Sequence, residues 1–319
     1  MTDTCVQMFG KRISMAELLY IGLALLCLFP FMSPPIALVV GLIIAQVIEN
    51  PFSDLSHKAV QWLLKIAVIG LGFGMCVGSA LSAGKQGFLF TVASITLTLF
   101  LGLAVGKFLG IDKKITQLIS AGTAICGGSA IAALSPIIKA DAKQISISIG
   151  IVFLLNSIAL FIFPAIGHYL DLSQHQFGLW SAIAIHDTSS VVGAADVYGA
   201  KALEVATTVK LARALWILPI SMVFVLFSGG SFKKIKIPYF IGLFILAIIT
   251  NTYVPHIEIV APYIVSASKV ALTLVLFLIG TSLSFSSLKE AGAKPLFLAI
   301  GVWVFISVLS LVAILKTTF

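Results

Sequence analysis

The chain has 319 residues, of which 60% are apolar and only 10% are charged, against about 25% charged in an ordinary soluble domain. That balance cannot cover a water-facing surface at this length, so lipid is the expected solvent. A net charge of +8 would suggest nucleic acid in a soluble protein, but the Lys and Arg residues fall mainly between apolar runs, where they set membrane orientation, and nucleic acid is excluded as a partner.

In chain order the apolar runs lie at 14–32, 34–48, 63–83, 87–109, 115–138, 144–170, 176–199, 201–227, 238–254, 263–285 and 295–315. A segment in hydrocarbon must satisfy its own backbone hydrogen bonds, so each run is expected to be helical. The length needed to cross a core of about 30 Å is about 20 residues. Lys11 and Arg12 precede the first run as in a signal peptide, but no small-residue cleavage site follows, and the run is read as a retained first span. Phe31 to Pro35 reads as a tight turn. The polar stretch Asn50 to Gln61 reads as an amphipathic segment on the membrane surface. Cys5, Cys27, Cys76 and Cys126 are scattered, without the paired spacing of a disulfide framework or a zinc site, and are expected to be small core residues.

Two runs differ from the others. Segment 115–138 is interrupted by Cys126-Gly127-Gly128-Ser129, and segment 176–199 by His186-Asp187-Thr188-Ser189-Ser190, both sequences that break or cap helices. Each is expected to form two half-helices. A broken helix that crosses the bilayer and a hairpin that enters and returns read alike in sequence, so the flanking charges arbitrate. Hairpins move Lys139 and Lys143 to the cytoplasmic side and sharpen the inside excess of Lys and Arg, which favours them. The expected fold is an all-α polytopic membrane protein, one domain over 1–319, with about nine full spans and two broken or re-entrant segments.

The two breaks also resemble each other. Ala124-Ile125-Cys126-Gly127-Gly128-Ser129-Ala130-Ile131 aligns with Ala184-Ile185-His186-Asp187-Thr188-Ser189-Ser190-Val191, and an Ala-Lys pair (Ala142-Lys143, Ala200-Lys201) opens a long helix after each. A second match pairs Lys65 with Lys269 and Lys85 with Lys289 at one constant offset. With hairpins, both matches relate elements of opposite orientation, the inverted repeat of secondary transporters.

Arg213 stands near the centre of the run 201–227, about 18 Å from its start, and Lys210 lies three residues earlier on the same helical face. Leaving one such charge in lipid costs at least about 2.5–3.5 kcal/mol, so both must face a protein interior or a wet cavity. They are candidates for an anion site, or for ion pairs with Glu204, Asp187 or Asp196 that lock helices together. The second half-helices open at Gly128-Ser129 and at Thr188-Ser189-Ser190, with Gly127 beside the first. Free N–H groups and the positive dipole end there would attract an anion, unless ordinary N-capping uses them. His186 and Asp187 are candidates for carrying a coupling proton or sodium ion. Asp187 has two other readings, as the N-cap of its half-helix and as the counter-ion of Arg213. Asn156 occupies nearly the position of Arg213 in the aligned helix, and is expected to bond the same solute or a neighbouring helix. His168, His175 and His256 lie near span ends and are expected at the interface.

The stretches 121–131 and 184–194, together with Val209-Lys210-Leu211-Ala212-Arg213, resemble the YeiH family of bacterial inner-membrane proteins, labelled sulfate exporters. The resemblance runs over nearly the whole chain and implies a multi-pass protein of the bacterial plasma membrane. It leaves the substrate open. The plan of inverted repeats and paired broken helices is similar to that of bile acid:sodium symporters, a likeness of fold only.

These readings lead to one expectation: a secondary carrier of a small anion, sulfate or a related sulfur oxyanion, coupled to a proton or sodium. No cofactor is expected, the N-terminus is expected to be cytoplasmic, and lipid-facing runs rich in Phe, Gly and Ala permit a homodimer. An anion channel, a solute-binding sensor and a membrane enzyme are the alternatives. No nucleophile motif, metal-ligand cluster or phosphate loop supports the enzyme.

Overall fold

The computed structural model describes residues 5–8, 11–29, 32–48, 50–228, 239–282 and 292–317. A small antiparallel hairpin of β1 (Cys5–Met8) and β2 (Lys11–Ser14) departs from the all-helical expectation. The helices then follow: α1 (Met15–Leu26), α2 (Pro34–Val47), α3 (Ser53–Leu71), α4 (Val77–Phe108), α5 (Lys113–Ala124), α6 (Gly128–Leu134) and α7 (Ala142–Tyr169). They continue with α8 (Gln174–Ala184), α9 (Thr188–Tyr198), α10 (Ala200–Ala214), α11 (Ile217–Ser228), α12 (Tyr239–Tyr253), α13 (Ile257–Thr281) and α14 (Ala293–Lys316). Phe31 of the expected turn and Lys289 of the second repeat match lie outside the described residues.

Among the described residues, five helical stretches are long and apolar enough to cross a membrane: Phe90–Phe108, Ala142–Tyr169, Ala200–Leu226, Ile257–Thr281 and Ala293–Lys316. Their outward faces carry large apolar side chains such as Phe100 and Phe108, exposed at 75% and 89%, as suits a lipid solvent. Runs 14–32, 34–48 and 238–254 give shorter helices, α1, α2 and α12.

The structure corrects the reading of 50–109. The expected surface segment is not separate: its residues from Ser53 form the opening turns of α3, anchored where Ser56 meets the Tyr20 hydroxyl at 2.7 Å. The run 63–83 is not one straight helix but bends by 110° between α3 and α4. Glycines 70, 72, 74 and 78 weaken helix there, and α12 takes up the freed groups: Asn251 Nδ2 donates to the Met75 carbonyl at 2.9 Å, and the Val77 N–H donates to Thr252 Oγ1 at 3.0 Å. Lys85, expected in a loop, lies inside the continuous α4. Cys76 is exposed at the bend, whereas Cys27 and Cys126 are buried as expected.

Helices α2 and α3 both pack against α13. A Cβ at Gly41 would lie 2.3 Å from the Phe277 carbonyl oxygen, so only glycine lets α2 and α13 approach this closely.

The middle of the chain, 112–201, turns back on itself twice. At the foot of the first hairpin, Lys114 Nζ donates to the Lys139 carbonyl at 2.7 Å, and Gln144 Nε2 donates to Asp112 at 3.1 Å. At the foot of the second, the Tyr198 hydroxyl donates to the Leu172 carbonyl at 2.6 Å, and the Lys201 N–H donates to Gln174 Oε1 at 2.9 Å. The two ends of each broken segment therefore lie together. Helix α7 joins the two feet; its 28 residues rise about 42 Å. The hairpins thus point towards each other from opposite ends of α7.

Candidate functional site

The two tips meet. A Cβ on Gly127, at the break between α5 and α6, would lie 3.5 Å from the Asp187 Cα at the break between α8 and α9. Gly127 holds φ +63° and ψ −126°, a conformation open to glycine and strained for other residues. The meeting point is level with Asn156, about 21 Å along α7, and with Arg213, about 20 Å along α10. Each long helix reaches across to a break: Asn156 Oδ1 accepts the His186 N–H at 2.9 Å and the Asp187 N–H at 3.3 Å, while Arg213 donates to the Ala124 carbonyl through Nε at 2.8 Å and through Nη2.

Lys210 and Arg213 are fully buried, on one side of α10 as their spacing predicts. Neither pairs with Glu204 or Asp196. Glu204 bonds Lys201 at 3.1 Å, and Asp196 bonds Lys269 at 2.5 Å. The two cations instead close the C-terminal end of α8, whose last carbonyls have no partner within the helix. Lys210 Nζ donates to the Ala182 and Ile185 carbonyls at 3.3 and 2.7 Å, and Arg213 Nη1 to Ile183 at 2.9 Å. Trp303 Nε1, from α14, donates to the remaining Ala184 carbonyl at 3.0 Å. Sequence reasoning missed Trp303, because a Trp in an apolar run reads as packing. Cations at this end also suit the negative pole of the α8 dipole. Two of the three Lys210 N–H groups go to the α8 end, and of the five on Arg213 one goes to α8 and two to Ala124 of α5, leaving donors on both.

Asp187 caps α9. Its Oδ2 accepts the Ser189 and Ser190 N–H groups at 3.1 and 3.3 Å and the Ser189 hydroxyl. The positive end of α9, read in sequence as an anion site, thus already faces an internal carboxylate. Thr188, Ser189 and Ser190 are all buried beside it. The first hairpin has no such cap: Gly127 offers no side chain to α6, and Gly128 packs where a Cβ would lie 3.1 Å from the Phe153 ring. Ser129 is exposed, unlike its buried neighbours Gly127, Ala130 and Ile131.

Several buried polar atoms at the junction have no hydrogen-bond partner among the described residues. They are Asn156 Nδ2, both ring nitrogens of His186, and the Thr123 hydroxyl just before the first break. Unpaired polar atoms in a dry interior are costly, so these four are free to bond a solute or water at the junction. Thr123 carried no signal in sequence, since a lone Thr in an apolar run is unremarkable.

A crevice of about 600 Å³ opens on the opposite side of α10, between α4 and α12. Its wall is apolar apart from Lys85 and Thr208, with Leu81, Phe88, Leu211 and Phe244 among the lining residues. It offers a charged solute little in place of water.

Residues 7–299 match the family model described as "Conserved hypothetical protein 698". A UPF0324 membrane protein of Photobacterium profundum is 50% identical over 309 residues, 97% of this chain and 95% of the relative. Another, from Shewanella oneidensis, is 47% identical over 299 residues, 94% of this chain and 95% of the relative. The chain belongs to this family. It is the YeiH family that its break motifs resemble. A UPF0324 membrane protein of Bacteroides thetaiotaomicron is 48% identical over 283 residues, 88% of this chain and 86% of the relative. No solved structure matches. With relatives named as membrane proteins and with its apolar helices, the chain is membrane-embedded.

Proposed function

We propose that this protein is a secondary carrier of a small anion, sulfate or a related sulfur oxyanion being the first candidate, working by alternating access. The observation that carries the reading is the meeting of two hairpin breaks at mid-height with two buried cations that keep spare donors. In this reading the hairpins α5–α6 and α8–α9, each with the long helix after it, are inverted repeats, and the solute binds between their tips. Spare N–H groups of Lys210 and Arg213, the Asn156 amide and the His186 ring supply donors for an oxyanion. Gly127 and Gly128 allow the backbone to approach the solute, and Ser129, Thr188, Ser189 and Ser190 border the path it takes. His186 and Asp187 carry the coupling ion, a proton or sodium.

The protein sits in the bacterial inner membrane with its N-terminus cytoplasmic. The foot of the first hairpin, with Lys113, Lys114, Lys139 and Lys143, faces the cytoplasm, whereas that of the second has Lys201. The protein performs no chemistry on its solute, and the apolar faces of its outer helices let two copies associate.

The test is uptake of labelled sulfate, thiosulfate and small organic anions into proteoliposomes, with and without proton and sodium gradients, for the native protein and Arg213→Ala. Saturable uptake with counter-flow that needs Arg213 supports a carrier. Flux orders of magnitude faster, without counter-flow, means a channel. No flux from folded protein removes the anion site, and product formation in detergent would identify an enzyme.

A further inference from the structure

A helix that ends in mid-membrane exposes carbonyl oxygens at the negative pole of its dipole, and sodium-coupled carriers use such ends to hold their ion. Helix α8 ends in this way, yet the carbonyls of its last three residues and of Ile185 just beyond it each already have a protein donor. Lys210 takes Ala182 and Ile185, Arg213 takes Ile183, and Trp303 takes Ala184. The matching carbonyl of the first hairpin, Ala124, is taken by Arg213 as well. The four oxygens at the α8 end each already face a protein donor, two of them the Lys210 ammonium. The Lys210 ammonium, a compact point charge with no exposed surface, sits in the middle of this set. The Asp187 carboxylate, two residues on, turns its Oδ2 to α9, where the Ser189 and Ser190 N–H groups and the Ser189 hydroxyl occupy it.

We infer that Lys210 is a tethered cation standing where a sodium-coupled carrier would bind sodium, so that this protein works without sodium. The inference deepens the carrier reading and rests on it for its functional half. Its structural half stands alone: the carbonyl set of α8 accepts a positive charge, and the protein supplies that charge itself. Removing the ammonium should then open a site that a small hard cation fills.

The experiment compares melting of the purified full-length protein in detergent in sodium chloride and in choline chloride of equal ionic strength. Choline is too large to enter the site. Native protein should melt at one temperature in both salts. Lys210→Ser should melt lower in choline chloride and recover several degrees in sodium chloride, whereas a variant of an unrelated exposed ion pair, Lys201→Ala, should not distinguish the salts. A native protein stabilised by sodium over choline, or a Lys210→Ser protein blind to the two salts, overturns the proposal. The native comparison needs no variant, so the proposal can be refuted even if Lys210→Ser fails to fold. In proteoliposomes, native anion uptake should be unchanged when the sodium gradient is reversed or removed; uptake that follows the sodium gradient overturns the proposal. Absence of any flux alongside the expected melting pattern would take down the carrier reading and leave the tethered cation in place.

Discussion

The two hairpins share a plan and are held in different ways. In the second, side chains satisfy nearly every loose backbone group at the break: Asp187 caps α9, Asn156 grips the linking N–H groups, and Lys210, Arg213 and Trp303 close α8. Stacked rings brace it, with Phe177 and Tyr198 centroids 3.8 Å apart and Phe163 and Trp180 centroids 4.3 Å apart. In the first, the break rests on the backbone freedom of Gly127, on its N–H donating to the Gly122 carbonyl at 2.8 Å, and on Arg213 as the one side chain that bonds it; α6 has no side-chain cap, and Ser129 is exposed. A break held by many side chains is fixed in position, whereas a break held by glycine geometry can change shape at low cost. The first hairpin is therefore expected to move in transport and the second to act as the frame.

The largest effect should follow from cutting the residue the hairpins share. Arg213→Ala leaves the Ala124 and Ile183 carbonyls buried and unpaired, at about 1–3 kcal/mol each, and should abolish anion uptake in proteoliposomes as well as lower the melting temperature. Arg213→Lys keeps the charge but not the fork that spans both hairpins, and should recover stability only in part. If Arg213→Ala melts like the native protein, the shared anchor is not one.

Each hairpin can then be attacked by itself. Gly127→Ala forces a strained backbone on the first break, at about 1–3 kcal/mol; the new methyl would stand at ordinary contact distance from Asp187, so space is not the obstacle. Hydrogen exchange should speed up in 113–134 and not in 174–198. Asp187→Ala removes the α9 cap, at about 0.5–2 kcal/mol, and should loosen the second hairpin selectively, with Asp187→Asn milder because it keeps a capping oxygen. Exchange that rises equally in both hairpins for either variant would end the distinction between mover and frame. The smallest effect is expected at the exposed foot of the second hairpin, where Lys201→Ala removes a pair with Glu204 worth about 0–1 kcal/mol, screened by salt.

Sequence alone determined the solvent, the helical content and the positions of both breaks. Those features are written locally: hydrocarbon demands internally bonded helices, and Gly127 and Asp187 have the chemistry of a helix start. It also placed Lys210 and Arg213 on one buried side of a helix, because a charge at that depth has nowhere else to go. It missed the bend between α3 and α4, since glycines scattered over 70–78 mark weakness without fixing where the chain turns, and Asn251 and Thr252 of α12 decide that. Only the tertiary structure decided what the charges bond. Sequence offered acidic partners for Lys210 and Arg213, whereas the structure gives them backbone carbonyls, which look identical at every position of a sequence and become ligands only where a helix ends. For the same reason Trp303 and Thr123 were invisible: what they do depends on which neighbour has run out of hydrogen bonds, and the packing of the two hairpins alone sets that.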